Sequence, residues 1–168
     1  DVCASDRGAL FVRPDGTGIV PTANANETAI GAFNSTNGGG SWSAVTTIAT
    51  IRHHTVAGSL REGPLPSAEI DGGGTVYVAW TDCRFRRSCK TNDIVLSHSL
   101  NTPGTRWTAV ARVPIDAPNS RIDHFTTCPA GHKATSPPRP QLGSPTSSPP
   151  PPTPPTTTPI NPAPHPPH

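Results

Sequence analysis

Methionine is absent from these 168 residues, tyrosine occurs once, and aromatic and charged side chains make up only 5% and 14%. With no methionine, not even an initiator, the sequence is expected to be a processed product or a fragment. No apolar run approaches the ~18 residues that a membrane-spanning helix needs, and no basic-then-apolar segment opens the chain, so no membrane association is expected. The few aromatics and a net charge of +2 supply neither stacking platforms nor a basic face, so no nucleic-acid partner is expected. Helical periodicity is missing as well, which leaves strands to carry the fold.

Proline is abundant but unevenly placed. Residues 137–168 hold 15 of the 23 prolines and a single charge, Arg139, whereas 1–136 hold 8 prolines and 23 of the 24 charges. We divide the chain into a folding body, 1–125, and a Pro/Thr/Ser-rich tail, 126–168, expected to be a disordered, extended spacer. A shifted reading frame would produce a similar tail, and the sequence does not separate the two origins. Four cysteines suit a secreted, extracellular chain. Cys83 and Cys89 enclose Arg84-Phe85-Arg86-Arg87-Ser88, a short polar loop that a structural disulfide would pin; their spacing lacks the second ligand pair of a zinc site. Whether Cys3 pairs with Cys128 stays open.

Short β-branched runs separated by Gly, Asn, Asp and Pro read as all-β. They cover 9–13, 18–23, 28–34, 44–51, 75–81, 93–99 and 108–115. Nearly every residue of 75–81 is apolar, as in a central strand buried on both faces, whereas 44–51 carries more polar positions and reads as an outer strand. The runs form one unit written twice. In the first copy Pro14-Asp15-Gly16-Thr17 leads to Ile19-Val20, then 28–33, then Ser35-Thr36-Asn37-Gly38-Gly39-Gly40-Ser41-Trp42. In the second, Asp71-Gly72-Gly73-Gly74-Thr75 leads to 76–80, then 93–98, then Ser99-Leu100-Asn101-Thr102-Pro103-Gly104-Thr105-Arg106-Trp107. Trp42 and Trp107 are 65 residues apart and Asp15 and Asp71 are 56 apart, the difference coming mostly from the Cys83–Cys89 insertion.

Ser35-x-Asn37-x-Gly39-x-Ser41-Trp42 resembles the Asp-box, or BNR repeat, of sialidase-type β-propellers, and Ser99, Asn101, Gly104 and Trp107 form a longer second copy. The physics of such a corner is local. Ser and Asx side chains hydrogen-bond loop amides, Gly supplies positive φ, and Trp plugs the space beneath the turn. These nine residues are assigned a structural role. The resemblance implies an incomplete propeller of about two four-stranded blades, open because closure takes ~4–8 blades. Such a piece would expose apolar surface and strand edges, with loose packing after Ile115.

The resemblance also implies chemistry. Leu60-Arg61-Glu62-Gly63-Pro64 stands where the family opens a blade with an arginine motif, Asp82-Cys83-Arg84 ends the following strand, and Asp93-Ile94 begins the next. By position Arg61 would bind a substrate carboxylate, Arg84 would support sugar hydroxyls, and Asp93, or else Asp82, would be the catalytic acid/base carboxyl. The partner would be a glycan carrying sialic acid or another acidic sugar, with no cofactor and no metal. The catalytic set is incomplete, lacking two further arginines and a Tyr–Glu pair; Tyr77 lies mid-strand and reads as core. The alternative is a non-catalytic extracellular glycan- or protein-binding module, in which Arg61 pairs with Glu62 or Glu69, 84–90 is a solvated loop and Asp93 caps a strand. His53-His54 lacks ligand spacing, and Ser120, Asp123 and His124 lack the turn of a hydrolase triad. Asn26 and Asn34 head glycosylation sequons.

Overall fold

The computed structural model describes residues 9–58, 60 and 62–125. Arg61, Cys3, Cys128 and the tail 126–168 lie outside the described residues. The described residues are all-β, with eight strands among them: β1 (Phe11–Val12), β2 (Gly18–Ala23), β3 (Ala29–Ser35), β4 (Thr46–Thr50), β5 (Ser67–Ile70), β6 (Val76–Asp82), β7 (Asp93–His98) and β8 (Ala111–Arg112). They form two antiparallel four-stranded sheets in sequence order, β1-β2-β3-β4 and β5-β6-β7-β8. The one helical element among the described residues is a 3-10 turn at Arg87–Cys89. No helix among the described residues is long and apolar enough to cross a membrane.

As its composition predicts, β6 lies between β5 and β7, and only Tyr77 of its seven residues escapes full burial. The more polar β4 is an edge strand. β5 is the strand that the sequence pattern misses. Ser67-Ala68-Glu69-Ile70 follows Pro64 and Pro66 and has one β-branched residue, so it owes its conformation to pairing with β6 rather than to propensity.

Backbone hydrogen bonds set the true register of the repeat. Gly16 N–H donates to Arg13 O and Arg13 N–H to Thr17 O; Gly74 N–H donates to Asp71 O and Asp71 N–H to Thr75 O. Gly16 and Gly74, at φ 84° and 83°, therefore occupy one position, and Asp15 and Asp71 do not. The sequence alignment of those two aspartates is off by two residues. Asp15 and Asp71 both accept from their turn's amides through Oδ1, which is why the two Asp-Gly segments look alike in sequence.

Counted this way, β2 and β6 are 58 residues apart, β3 and β7 are 64 apart, and β4 and β8 are 65 apart, because Gly31↔Thr47 matches Val95↔Arg112. The β6–β7 loop is thus six residues longer than the β2–β3 loop. Arg106 accounts for the last residue.

The two sheets stack front to back. One face of the first sheet contributes Ile19, Ile30 and Ala32 to the main core, with Phe11 and Ile48 packed against them. The second sheet meets it with Ala68, Val76, Val78, Trp80 and Val95, and with Trp107 and Val110 at the margin. The positions matching Ile30, Ala32 and Ile48 are Ile94, Leu96 and Val113, and these form a separate small cluster with Ala79 on the far face. Unlike faces are therefore in contact, as in stacked repeats, where each unit offers one face to the unit before and the other to the unit after.

Polar and turn contacts also cross this seam. Arg13 Nη2 donates to Ser99 Oγ (2.8 Å) in a buried bond, Gly74 abuts the Pro14 ring, and the Gly104 turn lies against Ile19.

Beyond Ile115 no described residue is buried, yet the segment is tied down by hydrogen bonds. Val113 N–H donates to Ile94 O, His124 N–H to Asn92 O, and Asn92 N–H to Asp123 Oδ1. Arg86 also donates to the carbonyls of Ala117 and Ser120. These bonds give the strandless segment the partners that a strand would otherwise supply.

Candidate functional site

The two hairpin corners are built alike. Asn37 Oδ1 accepts from Ser41 N–H and Asn37 Nδ2 donates to Ser41 Oγ, both 2.9 Å; Asn101 makes the same pair with Thr105 N–H and Oγ1 at 3.0 and 2.9 Å. Ser43 Oγ accepts from Asn34 N–H, as Thr108 Oγ1 does from His98 N–H. Gly39 and Gly104 both have positive φ, and a Cβ on either would lie 3.9 Å from Cζ2 of its own corner's indole, Trp42 or Trp107.

Their first residues differ. Ser35 Oγ stays local, donating to Asn37 Oδ1 and accepting from Gly39 N–H. Ser99 Oγ instead accepts from Val76 N–H and from Arg13 across the seam. Trp107 is half-buried against the core, with its Nε1 donating to Gly104 O. Trp42 is exposed and meets Phe33 edge-on at 5.3 Å.

Of the residues expected to do chemistry, Arg84, Asp82 and Asp93 lie together at the β6–β7 end of the second sheet, where Asp82 and Asp93 are cross-strand partners. Cys83 and Cys89 are disulfide-bonded with Cα atoms 4.8 Å apart, and they hold the intervening arginines in place. Arg84 is fully engaged by Asp82. Its Nε donates to Oδ1 (2.9 Å) and its Nη2 to Oδ2 (2.7 Å), a bidentate fork, and Nη2 also reaches Thr50 O. Asp82 is wholly buried and also accepts from the backbone of Arg84 and Arg52 and from Trp80 Nε1.

Asp93 is buried to 1% exposure, and its Oδ1 receives two guanidinium groups, Arg86 Nη2 at 2.6 Å and Arg112 Nε at 2.9 Å. Both arginines also reach Asp116 Oδ1, at 2.7 and 2.5 Å. His124 Nε2 lies 3.0 Å from Asp116 Oδ2. Two cations and two anions thus close a balanced square.

The Asp93 hydrogen bond raises the Arg112 guanidinium above its ordinary value, and this outweighs the cost of burial. Burial works to raise the Asp116 carboxyl, but hydrogen bonds from Ser120, His124 and Arg86 hold it well below the usual carboxylate range. Tyr77 is pushed up by burial and by Asp71, whose Oδ2 accepts its hydroxyl at 3.1 Å, so it is not an activated phenol.

Sequence reasoning placed Arg84, Asp82 and Asp93 near one another but missed Arg86, Arg112, Asp116 and Asn92. The alternative reading puts Arg86 in a solvated loop, yet it is 5% exposed. The available signal was its place inside the disulfide loop, which limits how far its side chain can stray. Asn92 clamps the link between the sheets, with Oδ1 accepting from His54 N–H and Nδ2 donating to His54 O.

His53 Nε2 pairs with Glu62 Oε2 at 2.7 Å. Ser120 binds its own turn and Asp123 binds Asn92, so Ser120, Asp123 and His124 form no relay. Among the described residues no group of three or more His, Cys, Asp or Glu side chains is placed to hold a metal ion.

No protein-family model matches the sequence, and no curated protein or solved structure shows significant similarity to it.

Proposed function

We propose that this chain supplies two neighbouring blades of an Asp-box propeller in an extracellular protein, and that it acts as a non-catalytic glycan- or protein-binding module. The observation that carries the functional half is that Arg84 and Asp93 are each already engaged by other residues. Arg84 is forked onto Asp82, and Asp93 is enclosed by Arg86 and Arg112. An arginine that recognises an acidic sugar needs an unspent positive field. A general acid needs access to the leaving oxygen and a proton to give. A carboxyl 1% exposed and enclosed by two guanidinium groups lacks that access.

Front-to-back stacking and the matched corners support the architectural half, since a radial array is built by repeating one inter-sheet contact. The Cys83–Cys89 disulfide fits an oxidising compartment.

Incubating the chain with a fluorogenic sialoside tests the reading. It predicts no release of the fluorophore between pH 4 and 8, together with retention on a glycan or protein array. Turnover above the uncatalysed rate overturns the non-catalytic assignment and restores a hydrolase with Asp93 as its acid.

A further inference from the structure

We propose that the free face of the first sheet is a self-association surface on which a second copy of this chain seats its own identical face. In β1 and β2 the residues alternate, so Phe11 and Ile19 point into the core while Val12 and Val20 point away. The outward face is apolar. Leu10, Val12, Trp42 and Val45 are 56%, 60%, 43% and 58% exposed. They are grouped on one surface. A Cβ on Gly18 would stand 3.2 Å from Leu10 and 3.6 Å from Trp42, and one on Gly31 would stand 2.5 Å from Val45.

The repeat shows what such a face is for. Trp107, Val110, Val78 and Val95 match Trp42, Val45, Val20 and Gly31, and in the second sheet they pack against a neighbouring sheet. The first sheet carries the same pattern with no cover among the described residues. Exposed apolar surface of this kind marks an interaction site.

Two observations choose the occupant. Residues 28–51, which build β3, the corner and β4, contain no Asp, Glu, Lys, Arg or His, so two copies meet there without like-charge repulsion. The free face of the second sheet, the alternative partner in a second copy, is unsuited. Its apolar members Ala79, Ile94 and Val113 are already buried and Leu96 is partly so, and its remaining positions include Glu69, Tyr77 and His98. The apolar sheet face left open in a second copy is that of its own first sheet, which gives an isologous two-fold contact. Four strands at about 4.8 Å spacing make a footprint only about 20 Å wide, which is small for a permanent dimer and fits a reversible one.

This inference goes beyond the blade reading and does not depend on it. Sedimentation equilibrium of the full chain from about 1 to about 200 µM tests it directly. The expected result is a monomer–dimer equilibrium in which Val12→Lys and Val45→Lys each weaken association at least tenfold. Both positions are more than half exposed, so the lysines should leave the unfolding midpoint near the parent's. Ile122→Lys, at an exposed position outside the sheets, should leave association unchanged. A monomer throughout the range, a dimer indifferent to both lysines, or a larger assembly that either lysine dissolves would each overturn the proposal.

Discussion

Replacing Gly104 with alanine isolates the seam between the sheets. Gly104 has φ +68°, a conformation that costs an L residue about 1–2 kcal/mol. A Cβ there would also overlap Ile19 Cδ1 and lie 3.3 Å from Cγ1, and Ile19 is wholly buried, with no room to retreat. Forcing a methyl into such a site adds about 1–3 kcal/mol. The expected loss is therefore about 2–5 kcal/mol, a large share of a small domain's stability.

Gly16 is the natural control. It has φ +84° and nothing within 4 Å of the added carbon, so Gly16→Ala should cost only the backbone share, about 1 kcal/mol. Urea denaturation of both variants gives the difference. A double variant sharpens the test. Ile19→Val deletes the overlapping Cδ1 and by itself costs about 1 kcal/mol. Combined with Gly104→Ala it should recover part of the loss, giving a coupling of at least about 0.5 kcal/mol, as expected for residues in contact. Equal losses for the two glycines, or strict additivity in the double variant, would refute the claim that Gly104 and Ile19 meet across the seam.

Asp93→Asn leaves Arg86 and Arg112 with Asp116 as their one shared anion and should cost about 3 kcal/mol in equilibrium denaturation. Adding Arg112→Leu should restore part of that, because one stranded charge is removed. Cys83→Ala with Cys89→Ala opens a short loop and should lower stability by about 2 kcal/mol, a loss that reducing agent reproduces in the parent chain. The Asp116 carboxyl is depressed in the folded state, so its contribution is present above the unfolded carboxyl pKa and is lost as pH falls below it. Urea midpoints should decline on acidification below about pH 4, and Asp116→Asn should flatten that decline.

The strands were legible because their β-branched runs are bounded by turn residues. β5 was not, because its four residues take their shape from the strand beside them. The corners were legible because each rests on hydrogen bonds within about six residues, Asn37 with Ser41 and Asn101 with Thr105. The Asp15–Asp71 misalignment has the same origin: two aspartates that both bind turn amides from different turn positions cannot be told apart by composition. The candidate site was only half legible. Sequence order brings Arg84 and Asp93 to one loop, but what neutralises Asp93 arrives from Arg112 and what engages Arg86 arrives from Asp116, and no local pattern announces either. Such long-range pairings belong to tertiary structure alone.

Front-to-back stacking has a further consequence for how this sequence tolerates changes in length. Even residues of β6 face the first sheet and odd residues the far side, where Ala79 joins the small cluster, so a single residue gained inside the strand would hand Trp80 to the wrong side and spoil both clusters at once. The two length differences between the copies, six residues around the disulfide and one at Arg106, both fall where the chain has left the ladder. Indels in this molecule should be admitted at the bends and rejected in the strands, and the existing sequence already records that preference.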